Sequence, residues 1–149
     1  MDYETRTNRH EWLSVLPKID AMTLDKTWKA LSTGDDYTWI RPAETGAVMV
    51  RGRMGGSGAS FNMGEMTVTR ATVRFADGTL GFGYAAGRAH QKAELVALLD
   101  AIFQQNPALA DQTIPPLVAT LAQARNDRSR KAASTKVDFF TVVRGENPK

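Results

Sequence analysis

Cysteine is absent from the 149-residue chain, and histidine occurs only twice, as His10 and His90. Without thiolates there is no cysteine nucleophile, no ligand set for an iron-sulfur cluster and no Cys/His zinc cluster in this chain. Redox chemistry cannot start here, and no metal site is expected. Long apolar runs are missing as well. No stretch of about 18 apolar residues suits a membrane span, and Met1-Asp2-Tyr3-Glu4-Thr5-Arg6 lacks the apolar segment of a secretory leader. These absences predict a soluble, cytoplasmic protein with no membrane partner. Aromatic residues make up 8% and are not interleaved with the basic ones as a nucleic-acid stacking platform requires, and the net charge of +3 is mild. At this length a single domain buries a real core without staples, so residues 1–149 read as one domain.

Glycine, by contrast, is concentrated. Arg51-Gly52-Arg53-Met54-Gly55-Gly56-Ser57-Gly58-Ala59-Ser60-Phe61-Asn62-Met63-Gly64-Glu65 carries two arginines into a run of closely spaced glycines. Glycine allows φ > 0 and close approach to the main chain, so the segment can present backbone N–H groups to an anion. The guanidinium groups of Arg51 and Arg53 would add fork-shaped contacts to phosphate or carboxylate oxygens. A plain loop between two strands, with surface arginines beside it, accounts for the same residues. A Walker loop is excluded, because no Gly-Lys-Ser/Thr leads into a helix. Residues 66–75, Met-Thr-Val-Thr-Arg-Ala-Thr-Val-Arg-Phe, follow instead, and their β-branched alternation is that of a strand.

The rest of the chain reads as α+β. Asn8 followed by Glu11 resembles an N-terminal cap for a short helix bearing Trp12, Leu13, Val15 and Leu16 and ending near Pro17. Leu24, Trp28 and Leu31 mark a second helix, with Gly34 as its stop. Residues 37–46 read as a connector and residues 47–53 as the first strand, with Arg51 and Arg53 on one face. Ala76-Asp77-Gly78-Thr79 is a hairpin turn before a third strand over 80–86. There Leu80, Phe82 and Tyr84 share a face, while Gly81 and Gly83 leave the other bare for close approach of another group. An antiparallel meander results. A helix over 89–105, with Leu95, Leu98, Leu99, Ile102 and Phe103 on one stripe, should cover it. After Pro107 a further helix is expected to begin around Pro115-Pro116, turn Leu117 and Leu121 inward, and carry Arg125, Arg128, Arg130 and Lys131. Val137-Asp138-Phe139-Phe140-Thr141-Val142-Val143-Arg144-Gly145 reads as a terminal strand apolar on both faces, which calls for a covering chain.

Taken together, these segments resemble the PhnG-type subunits of the bacterial carbon-phosphorus lyase core complex. The resemblance runs from Trp12 and Val15-Leu16 through Arg41-Pro42-Ala43-Glu44-Thr45-Gly46 and residues 48–65, then Thr69-Arg70 and Gly87-Arg88, to the terminal Val137–Gly145 segment. It departs where Ala89 and His90 follow Gly87-Arg88 and Lys92 stands in place of a family histidine, and where Ala71 follows Thr-Arg in place of an occasional cysteine.

The resemblance implies a share in phosphonate catabolism. With companion subunits of the PhnH, PhnI and PhnJ types and ATP-binding PhnK and PhnL types, such a chain assists replacement of the adenine of ATP by methylphosphonate or another alkylphosphonate. The product is α-D-ribose 1-methylphosphonate 5-triphosphate. It further implies more than one copy per complex and no cofactor in this chain, with ATP and alkylphosphonate as substrates of the complex. No catalytic residue is carried over. Candidate anion-binding or interface positions are Glu44, Arg51, Arg53, Gly55, Gly56, Gly58 and Arg70, and the candidate partner interface is Phe139, Phe140 and Arg144. The rival reading is a free-standing nucleic-acid-binding module using the basic residues of 125–136 and the Arg51/Arg53 face. A self-sufficient hydrolase finds no Ser/His/Asp set or metal cluster, and His10 reads as a helix-surface or interface residue rather than a base.

Overall fold

The computed structural model describes residues 4–34 and 36–137, with the side chains of the first helix described from Arg9 onward. In chain order the elements are α1 (Glu4–Val15), a 3-10 turn (Leu16–Lys18), α2 (Ala21–Leu31), β1 (Tyr37–Arg53), a second 3-10 turn (Met54–Gly56), β2 (Ser60–Phe75), β3 (Leu80–Ala86), α3 (His90–Gln105) and α4 (Pro107–Ser134). The strands form one antiparallel sheet in the order β1-β2-β3, so the fold is α+β as the sequence pattern predicts. The expected terminal strand, with Phe139, Phe140 and Arg144, lies outside the described residues. Val137 alone is described, and it is exposed and outside any element.

Three expectations are corrected. Helix α1 begins at Glu4, so Asn8 is an interior residue and no cap: neither Gly nor Pro interrupts the chain ahead of it. The chain over 37–46 is strand, not connector. β1 is an edge strand, so the missing N–H of Pro42 is tolerated there, and register shifts between Trp39 and Arg41 and between Arg41 and Glu44 absorb it. α4 begins at Pro107, in the first turn, where a missing N–H costs nothing, and continues through Pro115 and Pro116. Ala110, Ile114 and Leu117 are buried at helical spacing on both sides of that pair, and this packing holds the helix together across it.

α2 carries a side-chain N-cap. Asp20 Oδ1 accepts from the Thr23 amide at 2.9 Å, and Oδ2 accepts from the Thr23 hydroxyl at 2.7 Å. The helix ends at Leu31, and Gly34, with φ of 85°, turns the chain beyond it. Between β2 and β3 the Asp-Gly turn forms as expected, Gly78 supplying the positive φ and Asp77 accepting from the Thr79 amide at 2.9 Å.

α3 is the centre of the molecule, buried nearly all round rather than along a single stripe. One side carries small residues. Atoms of Ala93, Ala97 and Ala101 lie against Gly81 and Gly83 of β3, and a Cβ on Gly83 would meet the Ala93 carbonyl and come within 2.9 Å of the Ala97 nitrogen. The bare face of β3 is therefore bare for a helix backbone. The other side meets the remaining helices, Phe103 packing edge-on against Trp12 at a ring separation of 5.5 Å. Trp12, Leu16, Leu24, Val73, Leu99 and Phe103 form the heart of the core.

Candidate functional site

β1 and β2 are much longer than β3, and the excess leaves the body as a two-stranded ribbon. β3 pairs with β2 only over residues 68–74, whereas β1 pairs with β2 out to Arg53 opposite Ser60. No residue from 46 to 67 belongs to the hydrophobic core. At about 3.3 Å per residue the seven residues 47–53 carry the ribbon roughly 20 Å beyond the sheet.

The predicted positions divide between the two ends of this ribbon. Arg51, Arg53, Gly55, Gly56 and Gly58 are at the tip. Arg51 and Arg53 are both exposed and, as the period of two requires, on one face, with Arg51 Nη2 donating to Ser60 Oγ at 3.2 Å. The two arginines, Gly52 and Ser60 border a shallow concavity. Gly55 and Gly56, at φ of 60° and 80°, make the turn, and the Gly58 amide closes it on the Met54 carbonyl at 2.9 Å. Glu44 and Arg70 are at the base, directly opposite each other across the strands, with Arg70 Nε 2.9 Å from Glu44 Oε1. Arg41 Nε approaches the same oxygen at 3.4 Å. These groups are half exposed, so their ion pairs add at most about 1 kcal/mol.

Two polar clusters escaped the sequence reading. Behind the Glu44–Arg70 pair, the fully buried Thr69 hydroxyl donates to the Gly87 carbonyl at 2.7 Å and accepts from the Ala89 amide at 3.0 Å, pinning the entry to α3. Thr45 Oγ1 lies 2.8 Å from His90 Nε2, and both residues border a surface concavity with the exposed Arg88. His90 is thus engaged with a strand residue, while His10 is exposed on α1 as expected.

The second cluster surrounds Asp100, which is fully buried in the middle of α3. Its Oδ1 accepts from Trp12 Nε1 at 2.9 Å and from Arg9 Nε at 3.2 Å; its Oδ2 accepts from Arg9 Nη2 at 2.9 Å, from the Phe82 amide at 3.0 Å and from Gln104 Nε2 at 3.2 Å. Gln104 Nε2 also donates to the Leu80 carbonyl at 2.7 Å. Asp100 and Gln104 together take up the Phe82 N–H and the Leu80 carbonyl on the free edge of β3, which blocks strand pairing at those two residues. Arg9 completes the arrangement by lying over the Phe82 ring, 5.8 Å from its centre. A single aspartate inside an apolar helix stripe was the available signal, since a buried carboxylate demands donors from other elements.

Among the described residues no group of three or more His, Asp or Glu side chains is gathered as a metal centre would need, and no helix is long and apolar enough to cross a membrane. What the structure offers instead is reach. Besides the ribbon, α4 leaves the core after Leu121 and runs on to Ser134 with every residue exposed, Arg125, Arg128, Arg130 and Lys131 among them.

Two comparisons bear on this arrangement. The family described as phosphonate metabolism protein PhnG matches residues 7–145. The chain is also 40% identical, over 141 residues, to the PhnG subunit of alpha-D-ribose 1-methylphosphonate 5-triphosphate synthase from Rhizobium meliloti (strain 1021), covering 93% of this chain and 90% of that protein.

Proposed function

Because the chain belongs to the PhnG family of phosphonate metabolism proteins, we propose that it works as a subunit, not catalytic alone, of an α-D-ribose 1-methylphosphonate 5-triphosphate synthase, a transferase. In that enzyme the adenine of ATP is replaced at the ribose by methylphosphonate or another alkylphosphonate. ATP and the phosphonate are substrates of the assembled enzyme, and this chain brings no cofactor of its own. Its companions are subunits of the PhnH, PhnI and PhnJ types with the ATP-binding PhnK and PhnL types, present with more than one copy of this chain in the cytoplasm. A free-standing nucleic-acid-binding module gains no support from the family or from the relative.

The observation that carries the reading is the division of the chain into a closed core and two projections. Monomers rarely maintain apolar side chains in open water on extended arms unless a partner covers them. Here Met54, Met63 and Phe61 of the ribbon are exposed to 75%, 65% and 44%. The test is reconstitution: the companion subunits are produced with and without this chain, and adenine release from ATP plus methylphosphonate is measured. Turnover should require the chain and return when it is supplied. Full turnover in its absence refutes the reading.

A further inference from the structure

The inference rests on the reading of the chain as a synthase subunit and concerns the surface by which it is held. Alternation along the strands sorts the ribbon into two unlike faces. Val48 stands opposite Met66 and Val50 opposite Gly64, and a register shift then brings Gly52 opposite Phe61. The Met63 sulfur occupies the place a Cβ on Gly52 would take, with the Phe61 ring beside it. Beyond the Glu44–Arg70 pair at its base, that face is therefore apolar as far as the tip. The opposite face, which carries Arg51 and Arg53 across from Asn62 and Ser60, is polar and cationic apart from Ala47 and Met49, with Glu65 as its one carboxylate.

A two-stranded hairpin alone in water is marginal at best, and this one leaves on the order of a few hundred Å² of apolar surface uncovered. Three candidates could cover it. A bare anion would engage the arginines and leave the methionine and phenylalanine side chains in water. A second copy, strip against strip, would bury less than the roughly 800 Å² per partner of a stable interface and leave both arginine faces solvated. A groove that encloses both faces reaches that area and satisfies both chemistries.

We propose that the ribbon is an insertion arm, seated in a groove of a companion synthase subunit whose apolar floor takes Phe61, Met63 and Met66 and whose opposite wall presents carboxylates to Arg51 and Arg53. Methionines adapt their shape to such a floor, and arginine pairs with carboxylates through two parallel hydrogen bonds. Gly52 lets the Met63 side chain lie flat, so the apolar face enters as a thin wedge.

The test is a competition. Wild-type chain and variant, carrying different tags, are co-expressed with the other subunits, and their ratio in the purified synthase is compared with that in the lysate. Phe61→Ser with Met63→Ser should be excluded tenfold or more, and Arg51→Glu with Arg53→Glu to a similar degree. Both variants should keep the wild-type unfolding midpoint as isolated chains. Equal incorporation of either variant overturns the proposal. A photo-crosslinking amino acid at Phe61 guards against a folding artefact: it should join a companion subunit, whereas a crosslink to a second copy, or none in an assembled complex, overturns the proposal. Absence of the wild-type chain from the purified synthase would instead defeat the subunit reading itself.

Discussion

Replacing Asp100 tests how the fold is tied together. In Asp100→Ala the Trp12 indole N–H and the Phe82 amide lose their acceptor, and Trp12 is only 2% exposed. Each buried donor left unpaired costs about 1–3 kcal/mol. Arg9, at 37% side-chain exposure, can turn to water and adds less. The expected loss is about 3–5 kcal/mol, a large share of the roughly 5–15 kcal/mol that holds a domain of this kind together. Asp100→Asn keeps the volume and one oxygen but turns an NH₂ toward donors, so about 1–3 kcal/mol should be lost. Urea unfolding followed by tryptophan fluorescence gives both values. Amide exchange locates the effect, because the Phe82 N–H on the free edge of β3 should be protected in the wild type and exchange faster in either variant. If Asp100→Asn unfolds within about 0.5 kcal/mol of the wild type, with the Phe82 amide still slow, the network is incidental and the reasoning fails.

The β3–α3 contact should be as intolerant of addition as Asp100 is of removal. Gly83→Ala places a methyl on the Ala93 carbonyl, and because the obstacle is helix backbone no rotamer relieves it; a loss of about 3 kcal/mol in thermal or urea unfolding is expected, whereas Gly46→Ala, with nothing within 4 Å, should cost little. At the start of α2, the Thr23 hydroxyl and then the Thr23 amide hold the Asp20 carboxyl below its ordinary range. A depressed carboxylate stabilises the fold above its unfolded pKa and loses that contribution as the pH falls through the lower folded value, so Asp20→Ala should cost about 0.5–1 kcal/mol near neutrality and nothing extra in strong acid. Stability curves of the two proteins that stay parallel down to pH 2 would contradict this.

Local signals carried much of this structure. The positive φ that glycine permits placed the Asp-Gly turn and the tip of the ribbon, and alternation placed Arg51 and Arg53 on one face. Helical spacing of Leu, Trp and Phe identified the core helices, because burial demands that spacing whatever the partner. The family resemblance was legible too, since its residues run along most of the chain. Other features depended on partners far away in sequence. Pro42 and Pro115-Pro116 look like breaks, yet an unpaired strand edge absorbs the first and burial of Ala110, Ile114 and Leu117 on either side overrides the second. Glu44 and Arg70 seemed close to the arginine tip along the chain, but an extended strand gains about 3.3 Å per residue and puts the two groups at opposite ends of the ribbon. Asp100 could be recognised as odd, but not as a hub. Its donors come from α1, β3 and α3, and only the folded chain brings them to one carboxylate.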